Sequence, residues 1–283
     1  MRLLQAVIVS PAFVFAACYG GEKAASSSSP ADAGTPAVVT FHAKDFAFEG
    51  PAEVTAGLTT IKLVNDGPGF HHLQLVRLDS GKTVADLLTA MKNPGPPPAW
   101  AAFVTGPNAP DPGHESNATL DLAAGSYAMI CLVDVPDGVP HFAKGMASAL
   151  MVKPAAVVAS AAAPPAADVV VTLRDYAFTL SKPLAAGKQT VEVHTEAAQP
   201  HEIEIIKLAA GKTADDMLKW MMKPDGPPPG SGIGGVAATV QGVNVRFDAD
   251  LTPGDYLLIC FIPDAKDGKP HFTKGMMQVV KVS

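Results

Sequence analysis

Two stretches of the sequence combine residues that bind soft metals. One runs Cys131-LVDVPDGVP-His141-FAKG-Met146, the other Cys260-FIPDAKDGKP-His271-FTKG-Met276. Each closes a strand-like apolar run with Cys, crosses a Pro/Asp/Gly turn, and then delivers His and Met five residues apart. A thiolate, an imidazole and a thioether are soft-to-borderline ligands, a set that suits copper rather than calcium or magnesium. Each stretch therefore reads as most of a mononuclear copper site, short of one ligand.

The elements that must hold these residues are also written twice. At an offset near 130 residues the chain aligns with itself: VTFHAKDFAFEGPAEVTAG answers VVTLRDYAFTLSKPLAAG, and His71-HLQLVRLDSGKTVADLL answers His201-EIEIIKLAAGKTADDML without a gap. MKNPGPPP answers MKPDGPPP, and GSYAMIC answers GDYLLIC. Two homologous domains are expected, at 38–153 and 168–283, joined by an Ala/Pro linker at 154–167. Runs rich in β-branched and aromatic residues with period 2 predict strands. The apolar runs ending in each Cys predict strands buried on both sides. Thr83-VADLLTAMK and Thr213-ADDMLKWMMK carry a capping Thr and an i, i+3/4 apolar pattern, so each predicts one short helix, which the following GPPP cannot continue. The fold class is all-β: two tandem sandwiches, each with a short inserted helix.

Strand parity supplies the missing ligand. His71 shares a face with Leu73 and Leu75, and His201 with Ile203 and Ile205. That places His71 and His201 at the end of the core face and puts His72 and Glu202 on the solvent face. The expected sets are His71/Cys131/His141/Met146 and His201/Cys260/His271/Met276, the trigonal two-imidazole, one-thiolate arrangement with a distant thioether that suits one copper per domain. His42, His114 and His194 have no counterpart in the other copy and suggest no role. His72, equally unmatched, is also a substitute-ligand candidate. Asn117-Ala118-Thr119 matches a glycosylation sequon and predicts an exposed loop, and GSGIGG at 230–235 reads as a Pro/Gly loop.

The ends and bulk composition bound the setting. A net charge of -6 without a basic run, and 6% aromatics, argue against nucleic acid. Met1-Arg2 followed by a mostly apolar run to Ala17 is too short for a transmembrane helix and reads as a signal segment. Its end, Phe15-Ala16-Ala17-Cys18, resembles a lipobox, so residues 1–18 are expected to end in a lipidated Cys18, with 19–37 a flexible tether. With Cys18 lipidated, one cysteine per domain is left. An exported chain normally pairs its cysteines, so a lone thiol in each domain is best explained by a bound partner.

With these residues in view, the sequence resembles the cupredoxins over nearly all of both domains. The resemblance is carried by a first His after a turn (NDGPGF-His71, EAAQP-His201), the Gly-x-Tyr-x-x-x-Cys strand (Tyr127/Cys131, Tyr256/Cys260) and the His-x4-Met ending. HFAKGMASALMVKP is similar to the type 1 copper loop of copper nitrite reductases. The resemblance implies a Greek-key β-sandwich, a copper centre that shuttles one electron, and ligation by the eight residues above. The neighbours of each Cys are Ile130/Leu132 and Ile259/Phe261, so the His-Cys-His motif that serves catalytic coppers is absent. No Ser/His/Asp set or paired carboxylates recur either, and an enzyme is not expected. The expected function is one-electron transfer on the periplasmic or cell-surface side of a bacterial membrane. A transient redox protein would be its partner, and the membrane would be touched only through the lipid anchor. Copper buffering or delivery, or a metal-free interaction module, are the alternatives.

Overall fold

The computed structural model describes residues 35–93, 95–135, 137–156 and 163–283. The signal segment, Cys18 and all but the end of the tether lie outside them, as do residues 157–162 of the linker. In the first half, β1 (Ala37–Lys44) and β2 (Ala47–Glu49) form a hairpin, and β1 runs parallel to β4 (Gly57–Asn65). Alternation decides which side is buried: Phe41 and Ala43 of β1 and Ile61 and Leu63 of β4 face inward, while Val38, Thr40 and His42 do not. β7 (Glu115–Leu122) pairs antiparallel with β4 and completes this layer.

The facing layer contains β3 (Glu53–Thr55), β5 (Gln74–Leu78), β6 (Ala101–Thr105), β8 (Gly125–Ile130) and β9 (Ala147–Lys153), in the order β3-β9-β8-β5-β6. The chain crosses between layers at β2–β3, β3–β4, β4–β5, β6–β7 and β7–β8, which gives the Greek-key sandwich expected from sequence. The second half repeats it with β10 (Val169–Arg174), β11 (Ala177–Leu180), β12 (Gly187–Thr195) and β15 (Val245–Leu251) in one layer. β13 (His201–Leu208), β14 (Gly230–Thr239), β16 (Gly254–Ile259) and β17 (Met277–Val282) form the other. The architecture is cupredoxin-like, twice.

The short helices α1 (Val84–Ala90) and α2 (Ala214–Met222) start on full capping boxes, Thr83 with Asp86 and Thr213 with Asp216. Each buries one residue, Leu87 or Met217, against the outward face of the adjacent strand, where Val76 and Leu78 or Ile206 and Leu208 lie.

The halves are not separate sandwiches. β7 pairs with β15 through Leu120–Val245 and Thr119–Arg246, so one layer is a continuous eight-stranded sheet. Asn117 lies on β7, not in an exposed loop. Its Nδ2 donates to Asp248 O at 2.9 Å and its Oδ1 accepts from Asp248 N at 2.8 Å, which ties the two halves together. The expectation for GSGIGG also fails, because this segment is the start of strand β14. Glycine is required there by close approach: a Cβ on Gly235, at φ 135°, would sit 2.1 Å from Ile203 O, and one on Gly232 would sit 2.9 Å from Ala109 O of the other half. Beyond it, Ala237 N donates to Gly106 O at 2.8 Å and Thr105 Oγ1 donates to Ala237 O at 3.1 Å.

One contiguous core of buried residues runs through both halves, from Phe41 and Cys131 to Cys260 and Val282. A shared sheet and a shared core predict one cooperative unfolding transition, with calorimetric and van't Hoff enthalpies in agreement. Two resolved transitions in scanning calorimetry of the metal-free protein would contradict this coupling.

Candidate metal centre

In the first half, four backbone hydrogen bonds shape the loop that follows β8. Cys131 N donates to Met146 O at 3.2 Å, Met146 N to His141 O at 3.0 Å, Phe142 N to Cys131 O at 2.9 Å and His141 N to Val133 O at 2.9 Å. A 3₁₀ turn, His141–Lys144, ends at Gly145 with φ 112°, a conformation glycine adopts without steric cost. The loop thus strings Cys131, His141 and Met146 around one point. The Asn65 side chain arranges the other approach, accepting from Gly67 N and donating to Gly69 O and Pro110 O. A Cβ at Gly67 would lie 2.5 Å from the His71 ring.

His71 Nδ1 and His141 Nδ1 are 3.0 Å apart, and Cys131 Sγ is 3.5 Å from His141 Nδ1. In the second half Cys260 Sγ is 3.5 Å from His271 Nδ1, and the His201 and His271 rings are centred 4.6 Å apart. The ligand atoms of His71, Cys131 and His141, and of His201, Cys260 and His271, all lie within 4.8 Å of one another in each group. Met146 and Met276 are fully buried in the same core as the cysteines. The structure therefore brings together the three nitrogen and sulfur residues expected in each copy, and places each Met on the backbone beside them.

The protons on these groups are decided by neighbours that sequence reading did not single out. His71 Nε2 lies 3.0 Å from Asp45 Oδ1, and His201 Nε2 lies 3.0 Å from Asp175 Oδ1. A carboxylate only accepts, so the ring proton sits on Nε2 and Nδ1 presents a lone pair to the site. Burial lowers the pKa of all four histidines, that of His141 and of His271 to about 4, so they are neutral at pH 7. Burial pushes the Cys131 thiol up to about 12 and raises Cys260 likewise. His201 Nδ1 is buried with no hydrogen-bond partner among the described residues. Convergent lone pairs, a buried thiol and an orphaned ring nitrogen are what a soft cation would satisfy, and the donor set fits copper.

The residue after each aspartate completes the pocket. Phe46 and Tyr176 both sit at φ 63°, an unusual conformation for an aromatic residue, and each ring meets the second His edge-on, Phe46–His141 at 5.4 Å and Tyr176–His271 at 5.5 Å. The signal was present in the repeat, as KDFAF and RDYAF in matching positions. Asp175 supports His201 as Asp45 supports His71, although TEA replaces the NDG turn in the second copy.

His72 and Glu202 depart from expectation. They are 5% and 4% exposed, not solvent-facing, because the other half of the molecule covers that side of their strands. Leu132 N donates to His72 Nε2 at 2.8 Å, which leaves the ring proton on Nδ1 to donate to Asn108 Oδ1 at 3.3 Å. Asn108 Nδ2 reaches Glu202 Oε2 at 3.4 Å, and Phe261 N donates to Glu202 Oε1 at 2.8 Å. A buried chain of bonds thus runs from the residue after Cys131 to the residue after Cys260. His72 faces this interface and is not among the grouped ligands. Burial pushes the Glu202 carboxyl up to about 7 and holds Glu204 well above its ordinary range, consistent with their enclosure between the halves.

No protein-family model matches the chain, and no curated protein matches it. Among solved structures, the chain is similar to auracyanin A, a blue copper protein from Chloroflexus aurantiacus, at 23% identity over 42% of this chain and 100% of that one, with a TM-score of 0.31. It is also similar to an auracyanin from Roseiflexus castenholzii, at 21% identity over 41% of this chain and 97% of that one, with a TM-score of 0.28. For the copper nitrite reductase of Nitrosomonas europaea the figures are 15%, 88%, 94% and 0.26. The likeness is one of fold, and the reading of the site rests on the side chains of this chain. One expectation is corrected by it. The structures aligned over most of this chain include multicopper oxidases and copper nitrite reductases, which are enzymes, so the exclusion of an enzyme drawn from the neighbours of each Cys does not stand.

Two outcomes follow. Asp45→Asn and Asp175→Asn should each weaken metal binding at their own half by about 10–100-fold, read by competition titration, with the other half unaffected. Asn108→Leu leaves a buried imidazole N–H and a carboxyl oxygen unpaired. It should lower unfolding free energy by roughly 2–5 kcal/mol, measured by denaturant titration.

Proposed function

We propose that the protein binds one copper ion in each half, through His71, Cys131, His141 and Met146 and through His201, Cys260, His271 and Met276, and transfers electrons one at a time. The observation that carries this reading is the twice-built group of a thiol and two neutral imidazoles. In each group one imidazole is pinned at Nε2 by a carboxylate, which leaves the lone pair of Nδ1 for the group. Bound there, copper supplies a one-electron couple. The chain would supply the rest: Cys131 and Cys260 a thiolate each, the histidine pairs two imidazole nitrogens, and Met146 and Met276 a weak thioether donor. Burial in a dense core and the strapped Cys-to-Met loop hold these donors in one arrangement, which keeps reorganisation small between oxidation states.

His141 is 5% exposed, with Pro140 and Phe142 on either side of it in the chain and the exposed Val139 one residue further. An apolar rim of this kind suits a brief contact with a redox protein partner. The sequence beyond the described residues supports export and a lipid anchor at Cys18, which would tether the protein to the outer side of a bacterial membrane and leave both halves free to meet partners.

Adding Cu(II) to the metal-free protein should give an intense visible thiolate band that saturates at two equivalents, with Cys131→Ser and Cys260→Ser each removing half of it. Both thiols are protonated and the histidines neutral at pH 7, so uptake should also release one proton per site, read with a pH indicator. A protein that takes up no stoichiometric copper, or binds it without a thiolate band, would exclude this reading.

A further inference from the structure

The two centres are copies, but their surroundings are not. Beside His141, Phe46 presents a ring without a polar atom, and Lys144 is drawn to the exposed Asp137 at 2.7 Å. Beside His271, Tyr176 replaces Phe46 and its hydroxyl donates to Asp264 Oδ2. Asp264 stands where the first copy has Val135, its N donating to Lys269 O as Val135 N donates to Val139 O, and the second Cys-to-His loop is one residue longer beyond it. Its side chain is 1% exposed, and Oδ2 lies 3.9 Å from His271 Nε2, a buried nitrogen with no hydrogen-bond partner among the described residues. Gln199, in place of Gly69, donates to Asp264 at 3.4 Å and to Asp175 at 3.1 Å. Lys266 N donates to Asp264 at 2.9 Å.

We infer that the second centre has the lower reduction potential, that the Asp264 carboxylate sets the difference, and that an electron placed on the second centre passes to the first. This rests on the proposed copper sites. A fixed negative charge next to a ligand favours the more positive oxidation state of the metal and so lowers its potential. Of the remaining charged neighbours, Asp134 in the first Cys-to-His loop and Glu202, bonded to Phe261 N in the second half, fall one to each centre, and the others are matched pairs. Asp45 matches Asp175, and Lys274, 3.6 Å from Asp264, matches Lys144 in the first copy. The donors around Asp264, the Tyr176 hydroxyl, the Gln199 amide and Lys266 N, bond to the ionised form and anchor it without removing its charge. The transfer is balanced as it stands. One centre is oxidised by one electron, the other reduced by one, and no bond or proton moves. The buried His72–Asn108–Glu202 chain provides a bonded route between the residues that follow Cys131 and Cys260.

Voltammetry of the copper-loaded full chain tests this. Cys260→Ser keeps only the first centre and Cys131→Ser only the second, and the Cys131→Ser protein should show the lower midpoint. Asp264→Asn, which keeps the side chain's shape, should raise the midpoint in the Cys131→Ser background and leave it unmoved in the Cys260→Ser background. With both centres loaded, half an equivalent of reductant per copper should bleach the first centre's band before the second's. Equal or reversed midpoints in the two single-site proteins would overturn the inference without needing the Asp264 variant. An unmoved midpoint in Asp264→Asn, with copper stoichiometry intact, would remove Asp264 as its cause. Absence of the thiolate band altogether would overturn the copper sites and this inference together.

Discussion

A neutral imidazole buried with its proton held at one nitrogen must present a bare lone pair at the other. The Asp45–His71 and Asp175–His201 bonds impose that condition, and much of the structure serves it. Each aspartate is placed by a hairpin whose next residue, Phe46 or Tyr176, adopts a left-handed backbone conformation so that its ring closes the pocket on the second histidine. Gly67 leaves room for the His71 ring, and the Asn65 side chain holds the turn that carries it. An isolated lone pair in an apolar core is costly unless something binds it. The orphaned Nδ1 of His201, within reach of a buried thiol and a second imidazole, is therefore better explained by a ligand than by packing.

The same strands that carry the first histidines also build the junction between halves. β5 and its approach, and β13, have two buried faces: one on the sandwich core, the other divided between a helix and the opposite half. Polar residues on that second face are therefore not a solvated stripe. They are paired across the interface, with Asn108 satisfying His72 on one side and Glu202 on the other. Such a network must be complete to be tolerated, and its completeness links the two metal-binding groups by bonds rather than by proximity alone.

Duplication makes the differences informative. Residues that agree between copies, the ligands and their aspartates, report what each site needs in order to exist. Among the residues that differ, Phe46 against Tyr176, Gly69 against Gln199 and Val135 against Asp264 cluster on the side of the second histidine and leave the conserved His, Cys and Met in place. A further difference, His72 against Glu202, lies at the junction, each bonded to the backbone N of the residue after its cysteine.

The sequence by itself determined the repeat, the strands and capped helices, and the Cys, His and Met of each group, because ligand type and strand parity are local properties. Parity also placed His71 and His201 correctly on the core face. It failed for His72 and Glu202, because alternation reports that a face differs from the core but not what covers it. GSGIGG was read as a loop because glycine composition signals turns, and only the pairing with β13 shows that the backbone there is a strand pressed against Ile203 O. Asp45 and Asp175 were visible as letters, yet their roles depend on a 3.0 Å contact with an imidazole 26 residues away. Such contacts arise from long-range packing, and only the tertiary structure decided them.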